Sequence, residues 1–235
     1  MSVTLNDPRI ANGMRAQMAL RRELIAEGAR QVGWKVGMGA PALQQKLKLT
    51  APVVGFLLDR ALLEPNAKLS IKHWQQPVAE AEIAAYIGQD VPALSNRDTV
   101  RKAIAALGPA IELADVTCDM GDVETVLAGD IFQRHVILGP RDIMRGGARL
   151  DGLKGRLSRT GMDVPVPYDL EANIGDIVNI VSHVADIAAA VADGLRAGQF
   201  VICGSLTPPM FLAPADTDVE FVLEPIGGVS VKFSS

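Results

Sequence analysis

The stretch PVAEAEIAAYIG (77–88) constrains this chain most, because it sets two glutamates two residues apart in a run that holds no other charge. Its apolar bulk suits a strand, and side chains two apart on a strand project from the same face. Glu80 and Glu82 then stand side by side among Val78, Ala79, Ala81, Ile83, Ala84 and Ala85. Two carboxylates in apolar company repel each other and resist desolvation. Either that face is wet, or a divalent cation removes both penalties. Oxygen donors of this type suit magnesium, manganese or calcium.

A third carboxylate, Glu112, lies in a second apolar strand pattern, GPAIELADV, between Ile111 and Leu113. It is either an exposed partner of Ala110 and Ala114 or a third ligand. In GWKVG the period of two puts Trp34, Val36 and Met38 on one face and Gly33, Lys35, Gly37 and Gly39 on the other. Glycines flanking a lysine leave space for a ligand or another backbone, although an exposed strand lysine has the same pattern. Asp59 ends the apolar run VVGFLLD and by itself reads as a strand-terminal turn residue that needs no function.

Around these residues the chain reads as α+β with much antiparallel sheet. Asp7-Pro8 is a cap followed by a first-turn proline, and it opens a helix to about residue 30. Residues 31–38 read as a strand, 41–49 as a short helix and 53–86 as β-rich. Ser95 with Asp98 forms a capping-box pattern for a helix through Val100, Ile104 and Leu107. Strands follow at 109–116 and 135–139, with 121–133 ambiguous, and residues 156–166 form a hairpin turning at 158–161. Ile174, Ile177, Val178, Val181, Val184, Ile187 and Val191 define a helix over 174–195, and strands at 200–204, 219–224 and 228–233 follow. No linker or repeat interrupts the 235 residues, so one catalytic domain is expected, with residues 1–30 as a helical segment packed on it.

Composition excludes several classes. The net charge is −4 and no lysine-arginine run resembles a nucleic-acid stripe. No apolar run reaches the roughly 18 residues of a membrane span, and the N-terminus lacks a signal-peptide pattern. Cys118 and Cys203 are too few and too distant for a disulfide scaffold. A cytoplasmic protein without nucleic-acid or membrane partners is expected.

Taken in order, GWKVGM (33–38), PVVGFLLD (52–59), PVAEAEIA (77–84), GPAIELAD (108–115), GLRAG (194–198), VICGSLT (201–207) and the terminal GGVSVKFSS resemble the fumarylacetoacetate hydrolase superfamily. The similarity points to its branch of 2-keto-4-pentenoate hydratases and 4-oxalocrotonate decarboxylases. The resemblance implies a mixed β-roll or barrel with peripheral helices, in a homo-oligomer. It implies Glu80, Glu82 and Glu112 as ligands of Mg2+ (or Mn2+), and Lys35 and Asp59 as the acid/base pair. Ser205, Thr207, Asp130 and Arg134 are then candidates for binding a small 2-keto acid.

Three segments depart from the family text: residues 128–133 (AGDIFQ), which lose a hydroxyl cluster; Gly175-Asp176-Ile177-Val178 at the long helix; and Pro208-Pro209 after GSLT. The expected activity is hydration of 2-hydroxy-2,4-dienoates to 4-hydroxy-2-keto acids, with substrate choice placed in 128–135. The alternatives are decarboxylation of a vinylogous 2-keto diacid, with Arg134 or His135 meeting the distal carboxylate, and a non-catalytic partner subunit of the same fold.

Overall fold

A computed structural model describes residues 3–234. In chain order the strands are β1 (Gln31–Gly37), β2 (Val53–Leu58), β3 (Leu62–Leu63), β4 (Ala67–Ser70), β5 (Pro77–Ile87), β6 (Ile104–Asp115) and β7 (Gln133–Leu138). Then come β8 (Lys154–Arg159), β9 (Met162–Val164), β10 (Phe200–Ser205), β11 (Met210–Phe211), β12 (Asp218–Glu224) and β13 (Gly227–Ser234). The helices are α1 (Pro8–Ala26), α2 (Pro41–Leu47), α3 (Arg97–Ala103), α4 (Val123–Ala128) and α5 (Ile177–Val191).

Two mixed sheets form. One runs β2-β1-β10-β5-β6-β7-β3 with β11 also paired to β5, and the other runs β4-β13-β12-β8-β9. Chain connectivity forces the first sheet to curl. Seven flat strands would put β2 and β3 about 29 Å apart, yet Leu58 and Leu62 are joined by the single turn Asp59–Ala61. Four residues reach at most about 14 Å, so the edges must come together and the sheet becomes a half-barrel.

Its two faces have different tasks. Leu57 of β2 and Leu62 of β3 meet inside the curl with Ala84, Ala110, Val136, Phe200 and Ile202, an apolar plug at one end. The outer face carries Trp34, Ala81, Ile83, Ile111 and Leu113 into the main core, shared with Val181 and Val184 of α5 and Phe221 and Val231 of the second sheet. Lys35 faces inward and Trp34 and Val36 outward, as the alternation requires.

The glycines beside Lys35 are filled by protein rather than left open. A Cβ at Gly33 would stand 2.3 Å from the Phe200 carbonyl oxygen, and one at Gly37 would stand 2.7 Å from Ile131 Cγ2. Because the Gly33 neighbour is paired backbone, Gly33→Ala is expected to cost about 3 kcal/mol, read as a lower denaturation midpoint.

Helices α1, α2 and α5 end two to four residues earlier than expected, at Ala26, Leu47 and Val191, and three further limits have identifiable causes. The cap of α3 is Asn96, whose Oδ1 accepts the Thr99 N–H at 2.9 Å, while Ser95 Oγ donates to the Pro92 carbonyl. That helix ends at Ala103, and Ile104 and Leu107 belong to β6, whose pairing with β5 continues to Ile87 opposite Ile104. The full ladder outweighs a coincidental three-residue spacing. Likewise α5 starts at Ile177, because Asp176 caps Asn179 and Gly175 before it has φ +83°. The 121–133 segment holds α4, and the 158–161 turn narrows to Thr160-Gly161.

Candidate active site

β5 and β6 pair along their length, which sets Glu80 directly opposite Glu112 and Glu82 opposite Ala110. All three glutamates therefore lie on the inner face above the plug, and one carboxylate oxygen from each lies within 4.8 Å of the others. Glu82 and Glu112 are each 1% exposed, and Glu80 is half-buried against a cavity of about 420 Å³. Burial, reinforced by the charge of Glu112, pushes Glu80 up to about 7. Burial also holds Glu82 well above the carboxylate range, with Glu112 and Glu80 adding to it.

A bulge in β10 reaches this cluster. Ile202 pairs with Ala84 but Ser205 with Glu82, so one extra residue is accommodated between them. Gly204 takes φ +98° there and turns its N–H onto Glu82 Oε2 at 2.7 Å. Ser205 lines the cavity, and its Oγ is buried with no hydrogen-bond partner among the described residues.

Lys35, 2% exposed, contacts Glu112 through Nζ and donates to the Ile131 carbonyl at 3.0 Å. Burial opposes its charge, but Glu112, Asp130 and Glu80 outweigh burial and raise its pKa, so it is an ammonium. The Ile131 carbonyl is aimed by an unusual turn: Asp130, Ile131 and Phe132 have φ of 56°, 54° and 62°. Left-handed backbone costs roughly 1–2 kcal/mol per residue outside glycine. The turn is held because Phe56 N–H donates to Asp130 Oδ1 at 3.0 Å and Asp115 N–H donates to the Phe132 carbonyl at 3.0 Å. It puts a carbonyl on Lys35 and the Phe132 side chain in the cavity wall.

One ammonium facing three clustered carboxylates leaves uncompensated negative charge in a low-dielectric place. Hard oxygen donors at this separation fit a divalent cation of the magnesium, manganese or calcium type.

The remaining expected residues fall into two groups. Thr207 lines the cavity, 1% exposed, with its hydroxyl on the Pro208 carbonyl at 3.3 Å. Asp130 is buried behind Lys35 and is absent from the cavity lining, which corrects its expected place against substrate; burial pushes its carboxyl well up. Arg134 is also off the cavity, beside Asp115 Oδ2 at 3.5 Å, and His135 stacks on Trp74.

Asp59 is the largest correction. Gly55 pairs with Lys35, so Asp59, four residues further along, is about 13 Å away by strand rise. It accepts Arg30 N–H and Arg30 Nε, each at 3.0 Å, and these bonds lower its pKa instead of raising it. Asp59→Asn is expected to change stability little, as at other surface positions, and to leave turnover near normal. A parallel melting curve and rate measurement would show it.

Sequence reasoning missed Asn173, whose side-chain amide donates to the Ser205 carbonyl at 2.7 Å, and the cavity residues Val116 and Met120. None carries a local pattern that separates it from an ordinary loop or core residue.

Residues 26–233 match the fumarylacetoacetate (FAA) hydrolase C-terminal family. The chain is 26% identical over 235 residues to a 2-keto-4-pentenoate hydratase of Paraburkholderia xenovorans, covering 99% of this chain and 87% of that one. It is also 26% identical over 216 residues to a 2-hydroxyhexa-2,4-dienoate hydratase of Comamonas testosteroni, covering 89% and 80%. Among solved structures, 4-oxalocrotonate decarboxylase from Pseudomonas putida G7, complexed with magnesium and adipate, aligns with a TM-score of 0.85 at 22% identity over 100% of this chain and 90% of that one. With the carboxylate cluster built on the half-barrel these matches describe, the chain belongs to the fumarylacetoacetate hydrolase family.

Proposed function

We propose that this protein is a divalent-metal-dependent hydratase that converts 2-hydroxy-2,4-dienoates to 4-hydroxy-2-keto acids. The observation that carries the reading is the triad of Glu80, Glu82 and Glu112 in the cavity, with Lys35 buried against it. The relatives named as hydratases support the same reaction class.

Glu80, Glu82 and Glu112 would hold Mg2+ or Mn2+, and the cation would supply Lewis-acid charge to the substrate. Lys35 keeps a proton at Nζ beside the triad and is the proposed proton donor. The Ser205 hydroxyl, beside the triad and with no hydrogen-bond partner among the described residues, would bond a substrate oxygen. Glu112 orients Lys35, and the left-handed turn at Asp130–Phe132 fixes the ammonium from its other side. The expected setting is a single-domain homo-oligomer in the cytoplasm. No helix among the described residues is long and apolar enough to cross a membrane.

The diacid decarboxylase reading needs a cation for the second carboxylate. Arg134 and His135, its candidates, lie outside the cavity lining. A non-catalytic subunit would have no use for a buried ammonium aimed at three carboxylates. The test is purified protein with magnesium and either 2-hydroxypenta-2,4-dienoate or 4-oxalocrotonate, following dienol absorbance and carbon dioxide. Loss of the dienol without gas release is the expected result. Gas release from the diacid alone would reverse the assignment.

A further inference from the structure

We infer that the cavity selects substrates whose tail beyond C5 is neutral, apolar and bulky, such as an alkyl chain of several carbons or an aryl ring. This rests on the proposed 2-keto acid reading for the head group, and it assigns the opposite end of the same cavity.

The order of residues along the strands supplies the geometry. Going outward from the plug, β5 presents Glu82, Glu80 and then Val78, while β6 presents Glu112 and then Ala114. Val78 is two residues from Glu80, about 7 Å by strand rise. Val78, Ala114 and Val116 form a separate apolar cluster with Met120 and Phe132 packed on it. Phe211 of β11, paired with Val78, adds a half-exposed ring, 49% exposed. A five-carbon acid held by its first two carbons at the triad leaves most of this wall uncovered. The whole cavity, about 420 Å³, falls within the range that encloses drug-sized ligands.

Charge at that end is missing by construction. Among the described residues that line the cavity, Lys35 is the one cation, and it is already engaged by Glu112. Apart from the glutamates and the Ser205 hydroxyl at the triad end, the polar side chains are turned to backbone: Asn173 donates to the Ser205 carbonyl, Thr207 to the Pro208 carbonyl and Cys203 to the Val201 carbonyl. A carboxylate at the tail would lose its hydration and meet only apolar side chains.

Saturated 2-oxo acids, which cannot be hydrated, separate binding from turnover. Titration of the magnesium-loaded protein by calorimetry with 2-oxopentanoate, 2-oxooctanoate and 2-oxooctanedioate should show Kd falling about fourfold per added methylene. The diacid should bind at least tenfold more weakly than 2-oxooctanoate. Met120→Arg, at a partly exposed position on the wall, should reverse the order of the last two. Equal affinity across chain lengths, or a diacid that binds wild type as tightly as the monoacid, overturns the assignment even if dienoates are hydrated. A clear preference for the long monoacid, in protein that hydrates no dienoate, supports the apolar subsite and removes only the hydratase reading. Failure of every 2-oxo acid to bind overturns both.

Discussion

Glu112→Gln is expected to remove magnesium binding and turnover together and to destabilise the metal-free protein by about 3 kcal/mol. Glu112 has two partners in the structure: the proposed cation site it shares with Glu80 and Glu82, and the ammonium of Lys35. Removing one member of a buried ion pair costs about 3–5 kcal/mol, because the other charge is left without compensation. The lower end applies here, since Asp130 and Glu80 also attract Lys35. Lys35→Met should behave differently. The triad keeps all its oxygens, so metal binding persists while turnover falls by roughly 100- to 10,000-fold, the usual worth of a positioned acid. The double variant Lys35→Met/Glu112→Leu replaces the pair with apolar groups and should recover most of the lost stability without activity. Denaturation in EDTA, magnesium titration and rate on the four proteins separate these effects. A Glu112→Gln protein that keeps metal and rate would take Glu112 out of the site.

The stability of the metal-free protein should fall as pH rises, and magnesium should cancel that fall. Burial raises Glu80 from 4.5 to about 7, and burial also holds Glu82 well above its ordinary value. The folded state therefore binds more protons than the unfolded chain between these values. The stabilisation from this source is fully present below 4.5 and disappears as pH climbs through about 7. Metal ligation requires the ionised carboxylates, so its affinity runs the other way and strengthens across the same window. At pH 8, magnesium at about 100 times its Kd should add about 2.7 kcal/mol, which for a chain of this size is a rise in Tm of roughly 5–10 °C. At pH 5 the shift should nearly vanish. Melting curves at both pH values, with EDTA or with magnesium, measure it. An equal magnesium shift at both would mean that these carboxyl groups are not the ligands.

What was legible in the sequence lies on one strand or one helix at a time. The inward side shared by Glu80 and Glu82, the opposition of Lys35 to Trp34 and the cap of α1 by Asp7 all follow from backbone stereochemistry over a few residues. The family text linked those segments to Glu112, but the pairing itself is a matter of register. Only the β5–β6 ladder sets Glu112 across from Glu80, and shifting it by one residue would turn the glutamate away from the cavity. Ile104 and Leu107 carry a helical spacing yet lie in β6, since a partner strand can override such a spacing.

Asp59 and Asp130 show the limit most clearly. Both are aspartates beside apolar runs; the family resemblance implies chemistry for Asp59, although its own surroundings read as a turn. The curl of the first sheet puts Asp59 at the turn joining its two edges, where Arg30 meets it. The left-handed turn instead sets Asp130 behind Lys35. The sequence by itself determined the side-chain alternation, the helix start at Pro8 and the excess of carboxylates in apolar strands. The closed half-barrel, the meeting of three glutamates with one lysine and the emptying of cations from the far wall were decided by tertiary structure, because strand register and sheet curvature are set by contacts between residues far apart in the chain.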